Sequence, residues 1–484
     1  MRKAAAVSLL TFLLGGCMIG PDFFRPAVET PPAWRVTDQD AKDLANTLWW
    51  EQFNDPVLNE LVATALRENK DLKIATARIE EFAGRYGVTR SQLFPQLGAG
   101  YDVSKQKNTL PGSTEKGIYN TYGALLGASW EIDLWGKIRR QSEAAQAQIL
   151  GSEEGKQGVI LTLVSSVAGS YLELRSQDRQ LEITNSTAAS RGTSYKIFQD
   201  RYTGGVISKL ELSQNRSQYE EALASIPVYE KTVAQQENAL SVLLGRNPGP
   251  ILRGSTISDL SLPAIPEGLP SSLLERRPDI REAEQQLVAA NAQIGVAKAA
   301  YFPTISLTGI AGVASGGLSN LFSGSSRIWQ YGAAVTVPIF TAGGLAGQLQ
   351  VAEAQQQQAL FAYQKAIQNA FREVNDALID QEKTRVQLAA QRQQVASLRE
   401  YADTALLRYD NGYTSYIEVL DAQRSLFNAE LSYTRTQQAL LQAMVNLYKA
   451  MGGGWMTEAE NRAIAAAKEP PPAPMDKPSG GVVE

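Results

Sequence analysis

The sequence predicts a mixed α and β membrane protein with an internal duplication, in which four strands per chain contribute to a shared barrel and very long helices continue it. Three observations lead there. Four segments alternate apolar and polar residues with period two. A stretch from about Leu345 to Tyr409 carries no proline and almost no glycine. Three short motifs recur in the same order, offset by 207 or 208 residues.

The chain begins with an export signal, residues 1–16. Arg2 and Lys3 form the basic start, and the apolar run from Ala4 to Leu14 is too short to persist as a spanning helix. The run ends Leu14-Gly15-Gly16-Cys17, which resembles a bacterial lipoprotein box, with small residues for the peptidase and the Cys17 thiol to receive lipid. Met18 follows rather than aspartate, which favours sorting to the outer membrane. Signal removal takes the formal charge from −4 to −6, since both residues lost are basic.

Composition excludes several function classes. Histidine is absent, which removes the commonest general base and the commonest transition-metal ligand. With Cys17 the only cysteine, neither an intrachain disulfide nor a thiolate zinc site can form. A net charge of −4 without basic clustering gives no nucleic-acid footprint. No nucleophile, base and oxyanion group assemble in any motif; counting leaves carboxylate-only catalysis open but gives it no local support, so no enzyme activity is expected.

After an N-terminal extension, residues 17–53, the duplication sets the layout. Leu93-Phe94-Pro95 recurs as Tyr301-Phe302-Pro303, Arg201-Tyr202-x-x-Gly205 as Arg408-Tyr409-x-x-Gly412, and Leu212-x-x-x-Arg216-Ser217 as Leu420-x-x-x-Arg424-Ser425. The copies span 54–247 and 272–452, with a Gly/Pro-rich connector at 248–271 and a polar tail at 453–484 whose end should be mobile. Each copy begins with a helix ended by the Phe-Pro pair, because proline disfavours helix in the residue before it.

Two strands follow in each copy. Leu97, Ala99, Tyr101 and Val103 form one apolar face, and Tyr122, Ala124, Leu126, Ala128, Trp130, Ile132 and Leu134 the next. The second copy repeats this with Ile305, Leu307, Ala311 and Val313, then Trp329, Tyr331, Ala333, Val335, Val337 and Ile339. Period two with one apolar face suits lipid outside and water inside, although a soluble half-buried sheet gives the same pattern. Trp130, Trp135, Trp329 and Tyr331 near strand ends, in an exported chain, favour the barrel. The joining loops, around Pro111-Gly112-Ser113 and from Ser315 to Ser325, are polar and glycine-rich.

The long helices come next, meeting at the Arg-Tyr-x-x-Gly turns. Leu360, Tyr363, Ile367, Phe371, Val374 and Leu378 recur at steps of three or four on one face, with Ala359, Ala362, Ala366 and Ala370 beside them for close packing. Some sixty residues at 1.5 Å each reach about 90 Å. Taken alone this feature fits a coiled-coil rod equally well. Four strands cannot close a barrel, which needs about eight, and open edges are not viable in lipid. The chain must therefore oligomerise, and physics alone leaves two, three or four copies open.

Further motifs carry a family resemblance over nearly the whole mature chain: Cys17-Met18-Ile19-Gly20-Pro21-Asp22-Phe23-Phe24-Arg25-Pro26 with Trp34 and Trp50, Trp130-Glu131-Ile132-Asp133-Leu134-Trp135-Gly136, and Glu275-Arg276-Arg277-Pro278-Asp279-Ile280. The chain resembles the outer membrane factor (TolC/OprM-like) family, and within it the NodT-type outer-membrane lipoproteins of RND efflux systems. That resemblance implies a homotrimer with one 12-stranded β-barrel in outer-membrane lipids, continued by a periplasmic α-helical barrel. It also implies a membrane-fusion adaptor and an inner-membrane RND pump as partners, and passive export of small molecules such as drugs or solvents. A type I protein-secretion channel is a rival reading, and a structural periplasmic lipoprotein is one of another class.

At the turns, Gly205 and Gly412 are placed for a left-handed helix end. Ser208-x-x-Glu211 and Ser415-x-x-Glu418 read as capping boxes. The resemblance maps the periplasmic constriction onto Glu418 and Asp421, with Tyr409 and Arg408 as closing residues. Thr414 stands where some members carry a tethering arginine. The first-copy turn, with Arg201, Tyr202, Gly205 and Glu211, is expected to face the adaptor or simply to be capped.

Overall fold

A computed structural model describes residues 18–28, 30–31, 34, 48–109, 116–265, 270–452 and 455–468. The export signal, Cys17, the Pro111-Gly112-Ser113 loop and the tail from residue 469 lie outside the described residues. The helices longer than two turns are α1 (Pro56–Glu68), α2 (Lys70–Ser91), α3 (Lys137–Thr203), α4 (Lys209–Leu243), α5 (Pro278–Ala299), α6 (Gly344–Asp410), α7 (Tyr416–Ala450) and α8 (Met456–Lys468). The strands are β1 (Gln96–Thr109), β2 (Lys116–Ile132), β3 (Thr304–Ser315) and β4 (Arg327–Thr336). The long helices match in pairs: α3 and α6 have 67 residues each, α4 and α7 have 35 each. The chain divides into two compact units, and each draws residues from both copies.

The first unit (Met1–Val28, Thr76–Gly155, Asp279–Ala366) holds the sheet. Its order is β1-β2-β3-β4, antiparallel throughout, which leaves β1 and β4 as edges. The register aligns the apolar faces. Leu97 lies opposite Ala128 and Ala99 opposite Leu126. Leu126 in turn faces Ala311, which faces Trp329. The other face pairs Gln96 with Ser129, Ser129 with Thr308, and Thr304 with Thr336. A slip of one residue would mix the two faces, so the alternation fixes the register. Leu97, Leu126, Trp329, Tyr331 and Val335 remain 64–83% exposed, so the described residues do not cover this face.

Two strands end earlier than the alternation predicts. β4 stops at Thr336, leaving Val337 and Ile339 outside, because Pro338 has no N–H to donate to a ladder. β2 stops at Ile132, leaving Leu134 outside. Asp133 instead accepts hydrogen bonds from the amides of Ile138 (3.0 Å) and Arg139 (2.9 Å) and starts α3. The β3–β4 loop is also less open than its glycines suggest. Ser326 Oγ donates to the Asn320 carbonyl at 2.6 Å, as Ser323 Oγ does at 2.7 Å, and Leu321 is buried. Below the sheet, Ala144 and Ala147 of α3 pack on Ala289 and Ala292 of α5, where small side chains permit close backbone approach.

The second unit (Glu29–Ala75, Lys156–Pro278, Ile367–Glu484) is built around buried parts of α3 and α7, including Ile160, Val164, Val167, Tyr171, Met444 and Leu447. A fully buried carboxylate organises one corner. Asp55 accepts from the Val57 and Leu58 amides at the start of α1 (2.8 and 3.3 Å), from the Tyr171 hydroxyl (2.8 Å) and from the Ser255 amide (3.0 Å). A Cβ at Gly254 would come within 2.1 Å of Asp55, so the connector passes here as glycine. Trp49, Trp50, Phe53, Tyr448 and Trp455 form an aromatic cluster, with Trp49 stacked on Tyr448 at 5.4 Å.

The curl of the sheet depends on Gly312. A Cβ there would lie 2.2 Å from the Ala124 carbonyl and 2.9 Å from the Leu125 Cα, both backbone atoms that cannot step aside. Gly312→Ala should cost about 1–3 kcal/mol as an overpacking change. Gly98→Ala, with open space around it, should be tolerated. Yield of folded protein and the β signal in circular dichroism compare the two, and equal losses would contradict this account.

Candidate functional site

The two Arg-Tyr-x-x-Gly turns adopt the same helix-ending geometry. The Val206 amide donates to the Arg201 carbonyl (2.8 Å) and the Gly205 amide to that of Tyr202 (2.9 Å). In the second copy Tyr413 donates to Arg408 (2.9 Å) and Gly412 to Tyr409 (2.9 Å). This is the Schellman pattern, with glycine at the left-handed position: φ is +73° at Gly205 and +76° at Gly412. The motif thus encodes a helix end, and its arginine and tyrosine occupy the two positions whose carbonyls accept the closing bonds.

The following caps differ between copies. Ser208 and Glu211 form the expected capping box: Ser208 Oγ accepts from the Glu211 amide (3.2 Å) and Glu211 accepts from the Ser208 amide (2.8 Å). Ser415 makes no side-chain cap. Glu418 turns instead to the Thr414 hydroxyl, which donates to it. The second box is therefore not formed, because Thr414 competes for the glutamate. Asp421, one turn on, accepts from Arg424 at 2.6 Å, with both side chains more than half exposed. A pair so exposed contributes roughly 0.3–0.5 kcal/mol, but it offsets the acid's charge.

Tyr409 lies in an aromatic cluster that joins α3, α6 and α7. Phe198 stacks on Tyr409 (6.1 Å) and packs on Tyr416 (4.2 Å), and Tyr409 and Tyr416 are 5.0 Å apart. Ala402, Ala405, Val419 and Leu420 are buried with them. Asn215 Nδ2 on α4 donates to the Tyr416 hydroxyl at 2.6 Å, bringing in the fourth helix. Arg201 lies beside the Tyr409 phenol, its guanidinium 6.0 Å over the Phe198 ring and 4.0 Å from Asp410. Burial pushes the Tyr409 phenol upward, reinforced by Glu211 and opposed by Arg201. Burial pushes the Tyr416 phenol up to about 12, against the Asn215 hydrogen bond. Behind the cluster, Arg191 donates to the Gln218 carbonyl (2.8 Å) and sits 5.6 Å over the Phe427 ring.

The tip therefore brings Tyr409 to Arg201 and near Glu211, across the two copies. Within one chain it leaves Glu418 and Asp421 with their own local partners. Arg408 and Tyr202 are exposed at the turns. The motifs did not flag Phe198, Asn215 and Tyr416, which hold the helices together. Tyr416 sits inside the Ser415-to-Glu418 segment, but one aromatic at a helix start carries no signal without its partner 218 residues earlier in the chain.

The family model described as outer membrane efflux protein matches residues 61–246 and 269–453. The probable efflux pump outer membrane protein TtgC of Pseudomonas putida is 36% identical over 480 residues, covering 97% of this chain and 99% of that protein. The toluene efflux pump outer membrane protein TtgF of Pseudomonas putida is 38% identical over 459 residues, covering 92% and 96%. Among solved structures, the Campylobacter jejuni CmeC outer membrane channel superposes with a TM-score of 0.85 at 27% identity, covering 93% of this chain and 98% of that one.

The packing of the aromatic cluster and the polar contact of the Tyr409 hydroxyl with Arg201 should separate by mutation. Phe198→Ala removes a ring at the junction of three helices and should cost about 3–5 kcal/mol. Tyr409→Phe keeps the ring and removes only the hydroxyl, and should cost no more than about 1.5 kcal/mol. Hydrogen exchange should accelerate at residues 198–206 and 402–420 far more in the first variant. Equal acceleration would mean that the hydroxyl, not the packing, holds the tip.

Proposed function

The chain belongs to the outer membrane efflux protein family and is an outer-membrane efflux channel, and from this we propose that it is the passive duct of a tripartite exporter, doing no chemistry of its own. The observation that carries the reading is the four-stranded sheet, with one continuous apolar face and two open edges. Three chains pair β4 of one with β1 of the next, giving twelve strands and no edge in lipid. The helices continue the duct through the periplasm as an α-helical barrel. Cys17 carries the acyl anchor.

At the periplasmic end, three copies each of Glu418 and Asp421 ring the closed opening. Like charges at ~4–8 Å repel by roughly 2–4 kcal/mol per pair at an effective dielectric near 20, so the ring needs neighbouring contacts to stay shut. Tyr409 with Arg201 supplies one such contact, and Arg424 compensates Asp421. The first-copy turns, where Val206 and Leu210 are strongly exposed, suit docking of a membrane-fusion adaptor, and an inner-membrane pump of the RND class supplies the energy. The toluene pump relative supports small apolar molecules as cargo. Discrimination lies with the pump, since a wide aqueous duct has no pocket that selects.

Single-channel recording of the purified trimer in a planar bilayer tests the ring. Trivalent cation added on the periplasmic side should block the wild type. Block should weaken in Glu418→Gln and most in Glu418→Gln/Asp421→Asn, with reduced cation selectivity. Asp421→Asn alone should do less, because Arg424 already offsets that acid. Unchanged block in the double variant would place the constriction elsewhere, and protein that forms no pore would refute the channel itself.

A further inference from the structure

The residues after Cys17 are seated rather than loose. The Ile19 amide donates to the Trp135 carbonyl at 3.1 Å, just beyond the end of β2. Arg140 on α3, its side chain 2% exposed, donates to the carbonyls of Ile19 and Gly20 (3.3 Å each), to Asp22 (2.8 Å) and to Glu143 (2.8 Å). From α5, Asn291 Nδ2 donates to the Pro21 carbonyl (3.0 Å), and Glu284 pairs with Arg25 (2.8 Å). A buried guanidinium that takes three of its four acceptors from a passing segment is a binding site for that segment, since undocking would leave it only Glu143 of its own helix.

Three glycines make the fit close. Gly20, at φ +110°, approaches so near that an added Cβ would lie 2.4 Å from the Gly295 Cα. A Cβ at Gly295 would meet the Ile19 carbonyl at 2.8 Å, and one at Gly136, at φ +76°, would meet the Met18 Cα at 2.9 Å. Backbone thus lies on backbone at the corner where β2 becomes α3.

A second feature marks the same end of the sheet. Phe94 precedes β1, Trp135 follows β2, Tyr301 and Phe302 precede β3, and Ile339 and Phe340 follow β4. Phe94, Tyr301, Phe302, Ile339 and Phe340 are 37–95% exposed, and Trp135 packs on Phe302 at 4.9 Å. Aromatic residues gathered at one end of an apolar band form the girdle that sits at the lipid–water interface. Successive Cα atoms are about 3.8 Å apart, so a group on Cys17 starts within one residue of the seated Met18.

We propose that the seat around Arg140 is an anchor rest: it docks residues 18–25 so that acyl chains on Cys17 enter the bilayer within the aromatic girdle, and this docking makes the lipid part of the barrel's membrane contact. A freely tethered lipid would hold the chain near the membrane but would transmit nothing to the sheet. A docked one adds its apolar area to the corner that positions β2, α3 and α5. The proposal rests on the reading of Cys17 as the acylation site. The mass of the N-terminal peptide tests that reading separately, so its failure and the failure of the seat are distinguishable.

The test uses the acylated full-length trimer in phospholipid vesicles. Hydrogen exchange at residues 18–25 should be protected in the wild type and accelerate at least about tenfold in Gly20→Ala, which blocks the close approach to Gly295 while keeping the Arg140 side chain. Asn291→Ala, which removes one hydrogen bond from α5, should do the same more mildly and serves if Gly20→Ala fails to assemble. Trimer melting completes the cycle. Cys17→Ser should lower the midpoint in the wild type and lower it little further in the undocked variant. Wild-type exchange at the rate of a free peptide, or losses from Cys17→Ser and undocking that simply add, would overturn the proposal.

Discussion

A strand edge in lipid has no partner for its amide and carbonyl groups, and each unmet group costs several kcal/mol. β1 and β4 both present such edges, and among the described residues neither pairs with a further strand. This constraint dictates the rest. It requires copies of the chain to meet edge to edge, and it fixes the register, because only one alignment keeps Leu97, Leu126, Ala311 and Trp329 on the lipid face. It also explains Gly312, where a side chain would collide with the neighbouring backbone and open the curl. The assembled state is the folded state here, since a single chain in lipid leaves the edges of β1 and β4 unpaired.

Duplication supplies the second level of order. α3 and α6 are equal in length, as are α4 and α7, and both turns close with the same pair of carbonyl acceptors. Against that equivalence the differences are informative. Ser208 and Glu211 are occupied with each other, which fixes the start of α4. In the second copy Thr414 draws Glu418 away from the helix start, leaving α7 uncapped by Ser415. An uncapped start forgoes about 1 kcal/mol, so the second turn is the softer of two otherwise matched corners.

Much of this was legible in the residues. Period-two alternation located all four strands, proline-free stretches located the long helices, and the glycines of Arg-Tyr-x-x-Gly marked both turns. Errors came where a local competitor won. Pro338 cut β4 short of Ile339, and Asp133 left the β2 alternation to cap α3. The second capping box failed for the same kind of reason. What the sequence could not disclose was contact between distant segments: Phe198 with Tyr416, Asn215 with Tyr416, Arg140 with the carbonyls of Ile19 and Gly20. These pairs have no spacing rule, because the fold brings them together rather than the helix or strand period. The trimer and the proposed constriction came from the family resemblance, since alternation and length alone left both open.

The aromatic cluster at the tip also sets what kind of signal can unlock it. Its phenols are displaced upward, Tyr416 to about 12, and the chain has no histidine. A raised phenol pKa means that the folded state prefers the neutral ring. That contribution is complete below the ordinary tyrosine range and is lost only as pH climbs through the raised value. Between pH 5 and 8 the staple has no proton to gain or lose. Acidity in the surrounding compartment therefore leaves these packed rings themselves unchanged. Parting Phe198 from Tyr409 and Tyr416 is a matter of displaced packing, not of a proton gained or lost by the rings.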